Sequence, residues 1–236
     1  MKYEAVLFDC DGVLVDSEGI TNEVLRAMLH ERGWSLSPQE CMDIFLGRAV
    51  KDLQARIEQH TAQPLTQEWM QQFRDRRDQA LHADLLAIPN AVAAVQEIHR
   101  DYAGRIACAS GADRGKVELQ LNKVGLMPFF EGRIFSGHEL PRSKPHPDVY
   151  LAAAAALGSS ASACAVIEDT TTGARAGLAA GATVLGYCPS GIGHSTAQQL
   201  RELGVDNGGV KVLDILEIDR YGLSVKPCPE KLREGL

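Results

Sequence analysis

The sequence predicts a doubly wound parallel α/β sheet interrupted by a block of helices, and three observations predict it. An apolar run, Ala5-Val6-Leu7-Phe8, opens the chain with the length and bulk of a buried central strand. Over residues 16–84 the apolar positions recur at helical spacing, with no strand-like run between them. From Pro89 onward helical and strand patterns alternate, which implies parallel strands with helices on both faces.

The elements follow in order. Residues 3–8 form the first strand, and Gly12 turns the chain behind it. Ile20, Val24, Leu25, Met28 and Leu29 share a helical face that Gly33 stops. Ser37-Pro38-Gln39-Glu40 reads as a capped helix start leading into Cys41, Ile44, Phe45 and Leu46. A further start near Ala49 places Leu53 and Ile57 together, and another from Thr66 does the same for Trp69, Phe73 and Leu81. The mixed-sign cluster Arg74-Asp75-Arg76-Arg77-Asp78 reads as a solvated helix face. Beyond it, helices are expected over 92–98, 116–124, 148–157, 174–180 and 196–203, each preceding a strand: 106–109, 134–135, 165–167, 183–185 and 210–212. The first strand joins this sheet. Residues 1–15 and 85–236 therefore form a Rossmann-like core, and residues 16–84 an inserted all-helical cap domain.

Bulk properties narrow the function. At 236 residues the chain can fill one large domain or a core with a smaller insert. Its formal net charge of −7 offers no excess of cations for a nucleic acid. The six cysteines (Cys10, Cys41, Cys108, Cys164, Cys188 and Cys228) show neither zinc spacing nor a disulfide framework, which points to a reducing cytoplasm. The first strand starts almost at once and leaves no room for a signal peptide, and no apolar run has the ~20 residues of a membrane helix. A monomer or homodimer acting on a small molecule is the expectation. The end of the chain, with Glu230, Lys231 and Arg233, carries no recognisable chemistry.

The chemistry concentrates where strands end. Asp9 and Asp11 follow the first strand and project the same way, with Cys10 opposite. Two such carboxylates repel unless a cation lies between them or one stays protonated. Ser110-Gly111 follows the strand at 106–109, Lys144-Pro145 the strand at 134–135, and Glu168-Asp169 the strand at 165–167. Ligands of doubly wound folds bind at these ends. Carboxylates, a hydroxyl and an ammonium converging there suit a metal-assisted reaction on a phosphate.

These segments resemble the haloacid dehalogenase superfamily, in the subfamily with a helical cap after the first strand and its β-phosphoglucomutase-like and sugar-phosphate phosphatase members. The matching stretches are Phe8-Asp9-Cys10-Asp11-Gly12-Val13-Leu14-Val15-Asp16-Ser17-Glu18, Ala109-Ser110-Gly111, Ser143-Lys144-Pro145-His146-Pro147-Asp148, and Val166-Ile167-Glu168-Asp169 with Gly173 and Ala176-Gly177. The resemblance implies Asp9 as nucleophile, forming an aspartyl-phosphate, and Asp11 as general acid and then base, protonated when substrate arrives. It implies Mg2+ held by Asp9, the Asp11 backbone carbonyl and Asp169, with Glu168 contacting metal-bound water or orienting Lys144. Ser110, Gly111 and Lys144 would bind the transferring phosphoryl group. A cis Lys144–Pro145 bond is expected, with His146 a turn residue and Gly173 and Gly177 serving helix packing.

Specificity is expected from the cap. The segment 45–51 resembles the family's specificity loop, with Arg48 and Lys51 as candidate substrate contacts. Val50 stands where the mutases place an arginine, and Thr21 where they place a histidine. Both departures favour a Mg2+-dependent phosphatase for a sugar phosphate or phosphoglycolate-like metabolite. A phosphosugar mutase is the alternative. A haloacid dehalogenase needs neither the Asp11 acid nor a metal site, and ranks behind both.

Overall fold

Strand β1 (Ala5–Phe8) is fully buried and lies in the middle of a six-stranded sheet. The computed structural model describes residues 2–188, 194–203, 211–213, 218–219 and 222–223. The helices α1 (Glu18–Glu31), α2 (Pro38–Phe45), α3 (Gln54–Thr61) and α4 (Gln67–Asp84) follow β1 without an intervening strand. Then come α5 (Ala91–Asp101), β2 (Ile106–Ser110), α6 (Arg114–Lys123), the short α7 (Met127–Phe130) and β3 (Ile134–Ser136). The remainder is α8 (Asp148–Ala156), β4 (Cys164–Glu168), α9 (Thr171–Ala179), β5 (Thr183–Tyr187), α10 (Ala197–Glu202) and β6 (Lys211–Leu213). A small antiparallel pair joins Ile218–Asp219 to Gly222–Leu223. The last expected strand falls at Lys211–Leu213; Val210, Cys228, Glu230, Lys231 and Arg233 lie outside the described residues.

The main sheet runs β3-β2-β1-β4-β5-β6 with every pairing parallel. The chain winds outward from β1 to β3, returns, and winds outward again from β4. The strand order therefore reverses between β1 and β4, and a crevice opens there at the carboxyl ends.

Alternation along the strands sorts the core into two layers. Val6, Phe8, Ile106, Cys108, Ala165 and Ile167 face the layer of α5, α6 and α7. Ala5, Leu7, Ala107, Ala109, Cys164 and Val166 face α8, α9 and α10. The alanine-rich face of α8 lets that helix lie close to the strands, with Ala153 and Ala154 buried. A third cluster, including Leu25, Leu29, Trp34, Phe45, Ile57 and Phe73, belongs to α1–α4 and gives the helical block its own interior. Ser37 caps α2 through a reciprocal capping box with Glu40, and Thr66 caps α4, as their spacing predicts. Among the described residues no helix is long and apolar enough to cross a membrane.

Phe130 closes the first layer by meeting the Phe8 ring edge-on at 5.9 Å. Phe130→Ala is expected to cost about 3–5 kcal/mol, because the fully buried site must keep the cavity or collapse around it. Urea denaturation followed by circular dichroism measures this.

Candidate active site

The crevice between β1 and β4 gathers residues from four chain segments. Asp9 leaves the end of β1, Ser110 ends β2, Lys144 lies in the loop after β3, and Glu168 ends β4 with Asp169 behind it. The Lys144 ammonium donates to Asp9 Oδ1 and Glu168 Oε1, at 2.6 Å each. Its side chain is 7% exposed, so sequence position alone hides how deeply this lysine sits. Burial opposes the charge, but Asp9 and Glu168 together hold the Lys144 pKa well above the ordinary lysine value. Tyr150 donates its hydroxyl to Glu168 Oε1 at 2.6 Å and lays its ring 4.8 Å from the ammonium. Glu168 Oε2 accepts from Thr170 Oγ1 at 3.3 Å and the Asp169 amide at 3.2 Å. Glu168 thus spends both oxygens on protein donors and orients Lys144. The Lys144–Pro145 peptide is cis, and the exposed His146 closes a turn onto Ser143.

Asp11 behaves differently from the expectation. Its Oδ1 accepts from Ser17 Oγ, from Lys116 Nζ at 2.7 Å and from Gln120 Nε2 at 2.8 Å. Burial alone would raise its pKa, but the Lys116 charge and these three donors bring it down to about 2. Asp9 moves the other way. Burial pushes it well above the usual carboxylate range against the pull of Lys144, with Glu168, Asp169 and Asp11 adding to the rise. The two aspartates therefore avoid repulsion by pairing with separate lysines. Before substrate arrives, their surroundings favour the ionised form at Asp11 more than at Asp9.

Three carboxylates, from Asp9, Glu168 and Asp169, bring one oxygen each within 4.8 Å of one another, all buried. Asp169 Oδ2 accepts from His194 Nδ1 at 2.8 Å, whereas Oδ1 is buried with no partner. An orphaned buried carboxylate oxygen beside Asp9 fits a hard divalent cation. The Asp11 side chain lies outside this cluster. Gly12 completes the wall: a Cβ there would lie 2.1 Å from Asp169 Oδ2, on a backbone with φ +75°. Gly173 has a similar purpose, since a Cβ on it would lie 1.7 Å from Glu168 Oε1. That glycine makes room for a site carboxylate, which corrects the packing expectation, while Gly177 packs on Val166 and Val184 as expected.

A cavity of about 820 Å³ lies between these residues and the helical block. Asp9, Asp11, Ser110, Gly111 and Lys144 line its floor, and Arg48, Lys51, Val50 and Thr21 line its other side. The cluster at 74–78 is not simply solvated: Arg74 and Arg77 also line the cavity. Arg77 is buried because Asp78 and Asp113 meet its guanidinium at 2.7 and 3.0 Å. Thr21 Oγ1 is buried without a partner.

The sequence did not single out Lys116, Gln120, Tyr150 or His194, and Arg77 stood only within a cluster expected to be solvated. For α6 a signal existed. Lys116 and Gln120 occupy one helical face with buried Val117 and Leu121, and polar residues at interior positions mark a polar partner across the interface. For His194, contact with Asp169 is made across 25 residues, and no local pattern announces it.

Residues 3–181 match the haloacid dehalogenase-like hydrolases. The chain belongs to that family. It is 29% identical over 188 residues to the 6-phosphogluconate phosphatase of Escherichia coli, covering 79% of this chain and 83% of that protein. Hexitol phosphatase A of the same organism is 29% identical over 194 residues, covering 78% and 83%. Among solved structures, a family hydrolase from Deinococcus radiodurans with bound phosphate and sodium superposes with a TM-score of 0.69 at 36% identity, covering 87% of this chain and 90% of that one.

Glu18, at the start of α1, also lines the cleft beside Asp11. Burial and the Asp11 charge raise its pKa to about 7. Its folded form binds a proton more tightly than the unfolded chain, so its contribution to stability falls as pH rises from about 4.5 to 7. In chelator, Glu18→Gln is expected to melt higher than wild type at pH 8, with the gap closing by pH 5. Calorimetry at the two pH values checks the sign.

Proposed function

We propose that the protein is a Mg2+-dependent phosphatase that hydrolyses a small sugar phosphate through an aspartyl-phosphate on Asp9. The observation that carries this reading is Lys144 bridging Asp9 and Glu168 at the floor of a cavity that Ser110 also borders, with Asp169 in the same carboxylate cluster. A magnesium ion held by Asp9, Asp169 and the Asp11 carbonyl would offset phosphoryl charge and favour the ionised form of Asp9.

The chain's own residues do the rest. Ser110 and Gly111 hold phosphoryl oxygens, and Lys144 balances the charge that Asp9 and the phosphoryl group share. Asp9 attacks phosphorus while Asp11 protonates the departing alcohol. Asp11 then takes a proton from the water that cleaves the acyl phosphate. The lysine and hydrogen-bond donors that favour its ionised form suit the second half. The dianionic ester entering beside it raises its proton affinity for the first half. Residues 16–84 act as a cap that excludes bulk water and selects the substrate. Arg48 and Lys51 reach anionic or hydroxyl groups of its distal part, and the unpartnered Thr21 Oγ1 suits a sugar hydroxyl. The names of the two Escherichia coli relatives support a phosphorylated sugar acid or polyol as substrate.

Purified protein should release inorganic phosphate from 6-phosphogluconate or a hexitol phosphate with Mg2+ present, and chelator should abolish the reaction. Asp9→Asn should retain less than about one-thousandth of wild-type kcat. Turnover without metal would contradict the reading. Interconversion of glucose phosphates with little free phosphate would make the enzyme a mutase.

A further inference from the structure

Asp11 is held from an unexpected direction. Helix α6 presents Lys116 and Gln120 one turn apart on its buried face, and both donate to the same oxygen of Asp11. Asp113 accepts the Lys116 amide at 3.0 Å and caps the helix, which fixes the first turn from which the lysine reaches. Gln120 is fixed as well. Its Oε1 accepts from Cys10 Sγ at 3.4 Å, so its amide nitrogen faces Asp11. The Lys116 side chain is 8% exposed, and its ammonium makes its ion pair with Asp11. All three bonds to Asp11, including that from Ser17, fall on Oδ1, and Oδ2 takes none of them.

From this we infer that Lys116 and Gln120 are positioning residues for Asp11, an inference that rests on the reading of Asp11 as the proton carrier. They pin Oδ1, and proton exchange runs through Oδ2. In the first half-reaction the Asp9–phosphorus bond forms, the ester bond breaks, and the Oδ2 proton moves to the departing oxygen. In the second, water oxygen bonds to phosphorus, the Asp9–phosphorus bond breaks, and a water proton returns to Oδ2. Lys116 and Gln120 exchange no proton with substrate and act through Asp11.

The departing group tests this. A sugar alkoxide leaves only with a proton, whereas p-nitrophenolate leaves without one. Because kcat/KM reports events up to phosphorylation of Asp9, comparing the two esters isolates the acid step. Wild type, Lys116→Met, Gln120→Leu and Asp11→Asn are assayed with Mg2+ on p-nitrophenyl phosphate and on 6-phosphogluconate, or on whichever primary alkyl ester wild type prefers. For Lys116→Met the alkyl ester should lose about 100-fold in kcat/KM, the aryl ester at least about ten times less, following the pattern of Asp11→Asn. Gln120→Leu should show the same selectivity more weakly, and Lys116→Arg should recover part of the alkyl activity. Equal losses on both esters would overturn the inference and make Lys116 a phosphate-binding group. An unchanged ratio in a folded Gln120→Leu, checked by circular dichroism, would overturn it even if Lys116→Met does not fold. If wild type cleaves neither ester, the proposed function fails first; if Asp11→Asn discriminates and the α6 variants do not, only this inference fails.

Discussion

The buried ammonium of Lys144 is the constraint around which the site is arranged. A charge this deep is tolerable only with opposite charge and hydrogen bonds at once, and removing a partner of a buried pair costs about 3–5 kcal/mol. Asp9 and Glu168 supply the opposite charge, and the Tyr150 ring lies against the ammonium. Those partners come from β1, β4 and α8, so the lysine ties together both sides of the crevice where strand order reverses. The glycine at 173 and the donors on Glu168 Oε2 follow from the same need, since Glu168 can face Lys144 only if space and hydrogen bonds are provided behind it.

A second ammonium, Lys116, gives Asp11 the opposite character to Asp9. Two carboxylates two residues apart thus acquire different proton affinities from different neighbours, as the proposed division into nucleophile and proton carrier requires. Arg77 extends the arrangement to α4, because its partner Asp113 is the residue that caps α6. A packed line of charge runs from the helical block, through the first turn of α6, to Asp11.

Much of this was legible in the chain. The strands announced themselves as short apolar runs bounded by turns, and the helix starts at Ser37 and Thr66 by their caps. Asp9, Ser110, Lys144, Glu168 and Asp169 were legible because each follows a strand, and topology brings strand ends together. Lys116 and Asp11 are 105 residues apart, and a lysine inside a helix reads as solvated unless its partner is known. Arg77 was misread for the same reason. Charge patterns along a helix show where charges are, and only the fold shows which of them lose their water. The proton affinities of Asp9 and Asp11 were equally hidden, since burial dominates at the first and a lysine from a distant segment lowers the second.

Counted by residue type, the cavity lining is balanced while the chain as a whole carries −7. Its lining includes six acidic side chains (Asp9, Asp11, Glu18, Asp52, Asp113 and Glu168) and six basic ones (Arg48, Lys51, Arg74, Arg77, Lys116 and Lys144). A doubly charged anion arriving alone would tip that balance, and so would a doubly charged cation arriving alone. Together they cancel. Ester and ion should therefore favour each other's occupancy, each raising the apparent affinity of the other by the same factor.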